Sequence, residues 1–279
     1  NGAVAPAIST NEVSFSYGSH EPQALHEVSF SAQPGETVAL VGRSGAGKST
    51  CANLLMRFWD PGHGRIGLGG HDLRDFGLEH LREQIALVTQ DTYLFNNSIR
   101  ENIRLGRQDS TDQEIEDAAR QANAHDFILA LPKGYDTLTG ERGVRLSAGE
   151  RQRIAVARAL LKAAPILVLD EALSNVDAEN EAAIQEALER LMADRTTLVI
   201  AHRLSSVVGA DRILVLDKGR LVEAGVTNEE MARLRSPIGL DIGARTPEET
   251  AISVMAEIIA LRTGRSARAL SDTDGPIHD

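Results

Sequence analysis

The stretch Val38–Thr50, VALVGRSGAGKST, decides how this chain is read. A run of apolar β-formers, Val38–Val41, leads into a glycine-rich turn and then into a helix. Gly42, Gly47, Lys48 and Ser49 keep the G-x-x-x-x-G-K-[ST] spacing of a phosphate-binding loop. A loop whose backbone N–H groups wrap a diphosphate needs positive φ angles and no Cβ in the way, and Gly42, Gly45 and Gly47 supply both. The anion then lies on a helix N-terminus, where unpaired N–H groups and the helix dipole favour negative charge. Lys48 reaches the β and γ phosphates and the Ser49 hydroxyl is placed to ligate Mg²⁺. A glycine-rich turn that merely contains a lysine is the bland alternative.

The 279 residues suit one large domain or two small ones. With 42% hydrophobic and 25% charged residues the composition is that of an ordinary soluble globular chain, and a net charge of −11 argues against a general nucleic-acid binder. The single cysteine, Cys51, rules out an internal disulfide and fits a reducing cytosol. It falls on the helix after the loop, where packing is the expected role rather than reactivity. No signal peptide is visible and no apolar run approaches the roughly 18 residues of a membrane helix, so the chain is not expected to span a bilayer. It starts at Asn1 without Met, which reads as a processed, excised or truncated fragment.

Residues 1–10 are small and polar and read as the end of a linker. From Asn11 the alternation in EVSFSYG and in HEVSFSAQPGETVALVG marks short strands parted by Gly and Pro turns, a small antiparallel sheet feeding the loop strand. Tyr17, at the end of the first strand, either stacks on a base or caps the sheet. After the loop helix, expected over 48–58, DPGHGRIGLGGHDL suits a hairpin. IALVTQ (85–90) is an apolar strand closing on Gln90. A polar residue at the carboxyl end of a strand in an open α/β sheet points into the ligand crevice, where Gln90 can meet Mg²⁺ or the attacking water; a solvated loop glutamine is the alternative.

Residues 96–163 change period. TDQEIEDAARQANAHDFILAL and LSAGERQRIAVARALLKA carry apolar residues at helical spacing, with Thr111 and Ser147 as candidate N-caps, and predict a helical insertion. Arg151, Arg153 and Arg158 in the second segment read as a solvated face. ILVLDE (166–171) then has the continuous apolar character of a strand buried on both faces of a parallel sheet. It ends on Asp170, placed to hold Mg²⁺ through water, and on Glu171, placed to orient and polarise the in-line water that γ-phosphate hydrolysis requires. Acid pairs at strand ends also begin loops or cap helices. TTLVIAH (196–202) ends in His202, which can contact the γ-phosphate or be structural, and DRILVLDKGRLVEAG (211–225) is two strands around Lys218-Gly219.

Taken together, these pieces resemble the nucleotide-binding domain of an ATP-binding cassette (ABC) transporter over about residues 9–225. The matching motifs are GRSGAGKST as the Walker A loop, Gln90 as the Q-loop, LSAGE (146–150) as the signature, ILVLDE as Walker B, SNVD (174–177) as the D-loop and His202 as the switch histidine. The resemblance implies an α/β P-loop NTPase with a RecA-like core, an N-terminal antiparallel β subdomain and an inserted α-helical subdomain at about 96–163. It implies ATP and Mg²⁺ as ligands. Tyr17 would stack on adenine, and Gly42, Arg43, Ser44, Gly45, Ala46, Gly47, Lys48, Ser49 and Thr50 would hold the triphosphate. Ser49, Gln90 and Asp170 would surround the metal, and Glu171, His202 and Gln90 would carry the chemistry.

The strings DTYLFNNSIRENI and LPKGYDTLTGERGVRLSAGERQRIAVARALL are similar to exporters that fuse membrane and ATPase parts on one polypeptide, in which the GERG segment, here Gly140–Gly143, meets the coupling helices. That family's mechanism implies a second nucleotide-binding domain, in a homodimer or pseudo-dimer. Each ATP lies between one Walker A loop and Ser147 and Gly149 of the other copy, with Asp177 signalling across. It also implies a transmembrane partner at the cytoplasmic face of a bacterial inner membrane, and no nucleic-acid partner. Ala148 and Glu150 depart from the usual Gly and Gln of the signature, and Leu173, Asn175 and Val176 from the more common EATSALD. The rival within the family is a soluble cassette ATPase acting on nucleic acid or ribosomes, which usually carries two cassettes or a coiled coil.

Beyond Gly225, over residues 226–279, the segment containing SPIGLDIGA and TPEE resembles the C-terminal end of the xanthine dehydrogenase accessory protein family, which assists molybdenum-cofactor insertion. It contains one well-signalled helix, with Thr246 as N-cap, Pro247 at N1, Glu249 completing a capping box and Gly264 as the stop. Ile252, Met255, Ile258 and Ile259 form its apolar stripe. That family's nucleotide-binding Rossmann core is expected to lie outside this chain, so no cofactor-insertion residues carry over. A fusion of two unrelated reading frames is the preferred account, and a molybdenum-cofactor accessory protein the third functional reading.

Overall fold

The computed structural model describes residues 5–18, 20–140, 143, 146–170, 178–201 and 209–227. Alternating apolar residues build β1 (Ile8–Phe15) and β2 (Leu25–Ala32), which pair antiparallel with Ile8 opposite Ala32 and Phe15 opposite Leu25. The register of β1 shifts between Thr10 and Val13 and again before Phe15. Short hydroxyl side chains take up backbone donors there: Glu12 N–H donates to Ser29 Oγ (2.8 Å), Glu27 N–H to Ser14 Oγ (2.9 Å) and Phe30 N–H to Thr10 Oγ1 (2.8 Å). The linker expected over 1–10 ends sooner, because Ile8 is buried and pairs with Leu68.

After β3 (Thr37–Val41) and α1 (Lys48–Leu55), the hairpin of β4 (His63–Leu68) and β5 (His71–Asp72) adds to the free edge of β1, giving the order β2-β1-β4-β5. Helix α1 is shorter than expected: Met56 is its C-cap and Arg57 turns left-handed (φ 51°).

The larger sheet joins β3 to β6 (Ile85–Val88), β7 (Ile166–Asp170), β8 (Thr196–Ala201), β9 (Arg212–Asp217) and β10 (Arg220–Thr227) in the order β10-β9-β3-β8-β7-β6. All its pairings are parallel except the β9–β10 hairpin. Alternate residues enter two separate cores. Leu40, Val168, Ile200 and Leu214 pack with α1 and the small sheet, whereas Ala39, Leu167, Val199 and Ile213 pack with the helices. Both faces being covered, these strands read as unbroken apolar runs.

The helical insertion holds α3 (Ile99–Arg104), α4 (Asp112–Gln121), α5 (His125–Ala130) and α6 (Ala148–Lys162); α2 (Leu78–Glu83) precedes β6 and α7 (Ala178–Met192) follows β7. Thr111 and Ser147 are both N-caps with complete capping boxes, closed by Glu114 and Glu150. The run expected over 111–131 divides into α4 and α5 near Asn123, which turns left-handed (φ 52°).

The solvated arginine face is corrected. Helix α6 packs against α3, α4 and α7, which leaves it little open surface. Arg153 is only 8% exposed and lies 4.9 Å from the Phe127 ring centre. Arg158 donates to Asn102 O (2.5 Å), Asn102 Oδ1 (2.7 Å) and Tyr93 O (2.8 Å), and burial pushes its guanidinium down to about 10.

Candidate functional site

Strand register brings the chemistry to one edge. Leu40 of β3 stands level with Ile200 of β8, and Ile200 with Asp170 of β7; one residue on, Val41 stands level with Ala201. Val88, the last residue of β6, is level with Leu169. The loop leaving β3, Asp170 and the chain leaving β8 therefore share the carboxyl edge, where open α/β sheets bind ligands. Glu171, Asp177 and His202 lie outside the described residues, as does the helix expected from Thr246.

The loop's path depends on its glycines. At Gly42 (φ 155°) a Cβ would lie 2.1 Å from Leu216 O, and at Gly47 (φ 103°) 2.6 Å from Ala24 O. Gly47 is also the N-cap of α1, whose first turn has no side-chain cap, so its amides remain available to an anion. Lys48 is buried, with Nζ donating to Gly42 O (2.8 Å) and Arg43 O (3.0 Å), so its ammonium already curls over the loop. Arg43, Ser44, Gly45 and Ser49 are exposed, and Ala46 and Thr50 buried.

Sequence reasoning took Lys218-Gly219 as a plain turn and missed its part in the site. The Gly219 N–H donates to Ala46 O (3.0 Å) while its carbonyl accepts from His26 N–H (2.8 Å), which braces the loop from below. Positive φ at both Lys218 (46°) and Gly219 (76°), in a two-residue loop between the paired Asp217 and Arg220, is the pattern of a type I′ turn.

Tyr17 keeps 44% of its surface exposed, as a stacking role requires, and its hydroxyl lies 3.1 Å from Thr50 Oγ1. Gln90 is exposed and stands two residues past the end of β6, so the strand stops short of it. Ser147 is exposed at the N-cap of α6 and Gly149 is buried in its first turn. The departure at Glu150 has a structural use, since its carboxylate accepts the Ser147 N–H (2.7 Å). Burial pushes the Cys51 thiol up to about 12, which agrees with a packing role. The cavity lined by Val13, Leu25, Val28, Cys51, Leu54 and Leu198 lies in the core between the small sheet and α1, away from the carboxyl edge.

A parallel sheet with a phosphate loop at the carboxyl end of β3 and an acidic strand end level with it defines a P-loop nucleotide-binding protein. More narrowly, the chain belongs to the ABC transporter family: the model described as "ABC transporter" matches residues 25–174. Membership implies ATP binding. A second model, "XdhC Rossmann domain", matches residues 176–258. This begins well before residue 226 and overlaps β8, β9 and β10 of the large sheet.

The chain is 54% identical over 230 residues to the ATP-dependent lipid A-core flippase of Syntrophus aciditrophicus, covering 82% of this chain and 38% of that protein. It is 51% identical over 226 residues to a putative multidrug export ATP-binding/permease protein of Staphylococcus aureus, covering 81% and 39%. A bacterial Atm1-family ABC exporter solved with ATP bound superimposes with a TM-score of 0.76 at 45% identity, over 83% of this chain and 41% of that one. The chain thus spans about two fifths of the length of these relatives. Among the described residues no helix is long and apolar enough to cross a membrane.

Proposed function

We propose that this chain is the ATP-hydrolysing part of a bacterial exporter, working at the cytoplasmic face of the inner membrane. The observation that carries the reading is the level register of Leu40, Ile200 and Asp170, which brings the phosphate loop and a carboxylate to one sheet edge. Adenine stacks on Tyr17. The triphosphate lies along Gly42–Thr50, and the Lys48 ammonium shifts from Gly42 O and Arg43 O to the β and γ phosphate oxygens.

The donor set of Ser49 hydroxyl, Gln90 carbonyl and Asp170 carboxylate is all hard oxygen. It fits Mg²⁺, which is commonly held by one or two carboxylates plus substrate phosphates. When bound, the ion neutralises charge on the β and γ phosphates. Glu171 accepts a proton from the in-line water, whose oxygen bonds to the γ phosphorus as the bond to the β-phosphate oxygen breaks, and His202 holds Glu171 and that water in place.

Two such domains close head to tail. Ser147 and Gly149 of each approach the ATP of the other and Asp177 reports across the joint, so ATP itself completes the interface. The membrane partner docks beside Gly140 and Gly143, where Tyr93 (53%), Phe95 (54%) and Leu138 (51%) stand exposed. Residues 1–225 form the cassette, and 226–279 an addition to it that begins within the last residues of β10. One observation favours a second reading, accessory work on a molybdenum enzyme: the match over residues 176–258.

The test is the mass in solution of the full-length Glu171→Gln protein with and without Mg-ATP. Loss of the base should stop turnover and trap the closed dimer, doubling the mass with ATP. A variant that binds ATP yet stays monomeric refutes the dimer step, and one that hydrolyses ATP at the parent rate refutes Glu171 as the base.

A further inference from the structure

Phe15, Tyr17 and Trp59 form a ring cluster beside the loop helix. The Tyr17 ring lies 4.9 Å from Phe15 and 5.2 Å from Trp59 between centres, nearly perpendicular to both at 82° and 86°. Its hydroxyl is within hydrogen-bond distance of Thr50 Oγ1 (3.1 Å), and Asn53 Nδ2 donates to it at 3.4 Å. Two rings and the polar side of α1 thereby fix both the tilt and the reach of Tyr17, while 44% of its surface stays open.

Trp59 is itself firmly placed. Arg57 donates through Nη1 to Leu73 O (3.2 Å) and Phe76 O (2.9 Å) and through Nε to Asp60 Oδ1 (3.1 Å), and Phe58 N–H donates to Asn53 O (3.0 Å). The chain around the indole is therefore pinned on both sides. Yet Trp59 remains 45% exposed, although burying an indole is among the largest apolar gains a core residue can make. A ring held firmly in place without being buried is better explained by what it supports than by core packing.

From this geometry we infer that Trp59 is a positioning residue for the nucleotide base: it holds the Tyr17 ring as a preformed platform on which a flat heteroaromatic base stacks. The inference rests on the ATP reading of the loop. It goes beyond that reading by assigning part of the base affinity to a residue that lies outside every motif of the sequence. Thr50 ends the phosphate loop and also meets the Tyr17 hydroxyl, so the platform and the triphosphate cradle form one continuous unit.

The test compares binding of ATP and of inorganic tripolyphosphate, which carries the charge without the base, by calorimetry on the full chain. Trp59→Ala is expected to weaken ATP roughly two- to tenfold, the weight of one aromatic pair, and to leave tripolyphosphate within about twofold. Trp59→Phe, which keeps a ring, should recover most of the loss. Trp59 is the chain's single tryptophan, so its emission should shift with ATP and stay unchanged with tripolyphosphate.

Equal weakening of both ligands would mean that Trp59 supports the fold of the loop, and overturns the inference. So does a Trp59→Ala protein that keeps the full preference for ATP. A parent protein that binds ATP no tighter than tripolyphosphate defeats instead the base platform at Tyr17 on which the inference rests.

Discussion

Asn102→Leu should be among the most damaging substitutions outside the phosphate loop. Asn102 is 1% exposed, and every polar atom of its side chain is engaged. Oδ1 accepts from Phe95 N–H (2.9 Å) and Arg158 Nη2 (2.7 Å), while Nδ2 donates to Phe95 O (2.9 Å) and Ser98 O (3.0 Å). Leucine nearly matches the volume but strands the Phe95 amide and one arm of the guanidinium. A stranded, partly buried amide costs about 1–3 kcal/mol, and Arg158 loses one of its three bonds while keeping those to Asn102 O and Tyr93 O, so the expected loss is about 2–4 kcal/mol. Burial lowers Arg158 only to about 10, so at neutral pH it stays charged and the penalty is not avoided by deprotonation. Urea unfolding followed by circular dichroism measures the effect as a fall in midpoint at unchanged slope. The double variant Asn102→Leu, Arg158→Met removes the stranded charge together with its partner and should be less destabilised than the two single losses added. A loss below about 1 kcal/mol for Asn102→Leu, or strict additivity in the double variant, refutes the network.

Gly42→Ala forces a Cβ to 2.1 Å from Leu216 O at φ 155°, and should weaken tripolyphosphate binding about ten- to a hundredfold by displacing the loop from β9; parent-like affinity would sink the steric argument. Cys51 gives a pH effect of defined sign. Its thiol is raised from 9.0 to about 12, so the stability it contributes is complete below pH 9.0 and is lost as pH rises towards 12, because the unfolded chain releases the proton first. By pH 10 that loss is about 1.4 kcal/mol, and Cys51→Ala should lose correspondingly less stability between pH 8 and 10; identical slopes for the two proteins contradict it.

The loop, the parallel strands and the two N-caps at Thr111 and Ser147 were legible because a short local pattern marks them. Gly42 and Gly47 are marked by the spacing of the phosphate loop itself, although the carbonyls that exclude a Cβ there, of Leu216 and Ala24, lie far off in the chain, and Thr111 and Ser147 each cap a helix with a partner three positions on. What escaped was set by distant neighbours. The arginines of α6 alternate with apolar residues as on a solvated face, but the partners that bury Arg158 are Tyr93 and Asn102, more than fifty positions earlier. Gly219 looks like any hairpin glycine until Ala46 and His26 meet it, and Trp59 has no periodic pattern to mark it. Side chains whose role lies in a contact across the fold leave almost no local signal.

The two family matches divide the chain at residues 174 and 176, but the sheet does not divide there. β3, which delivers the phosphate loop, is paired on one side with β8 and on the other with β9, so that Val38 stands between Leu198 and Arg212. Both neighbours belong to the segment that also matches the Rossmann model. Without them the buried amides and carbonyls of β3 would lack partners on either side, and Gly42 would lose the Leu216 carbonyl against which the loop is shaped. β10 continues past a register shift at Gly225 to Thr227, which pairs with Arg212. Residues 178–201 and 209–227 are therefore structurally part of the ATP-binding sheet. Apolar parallel strands such as TTLVIA and RILVLD suit any doubly covered α/β sheet, which is a physical reason why a Rossmann model and a cassette can both claim them.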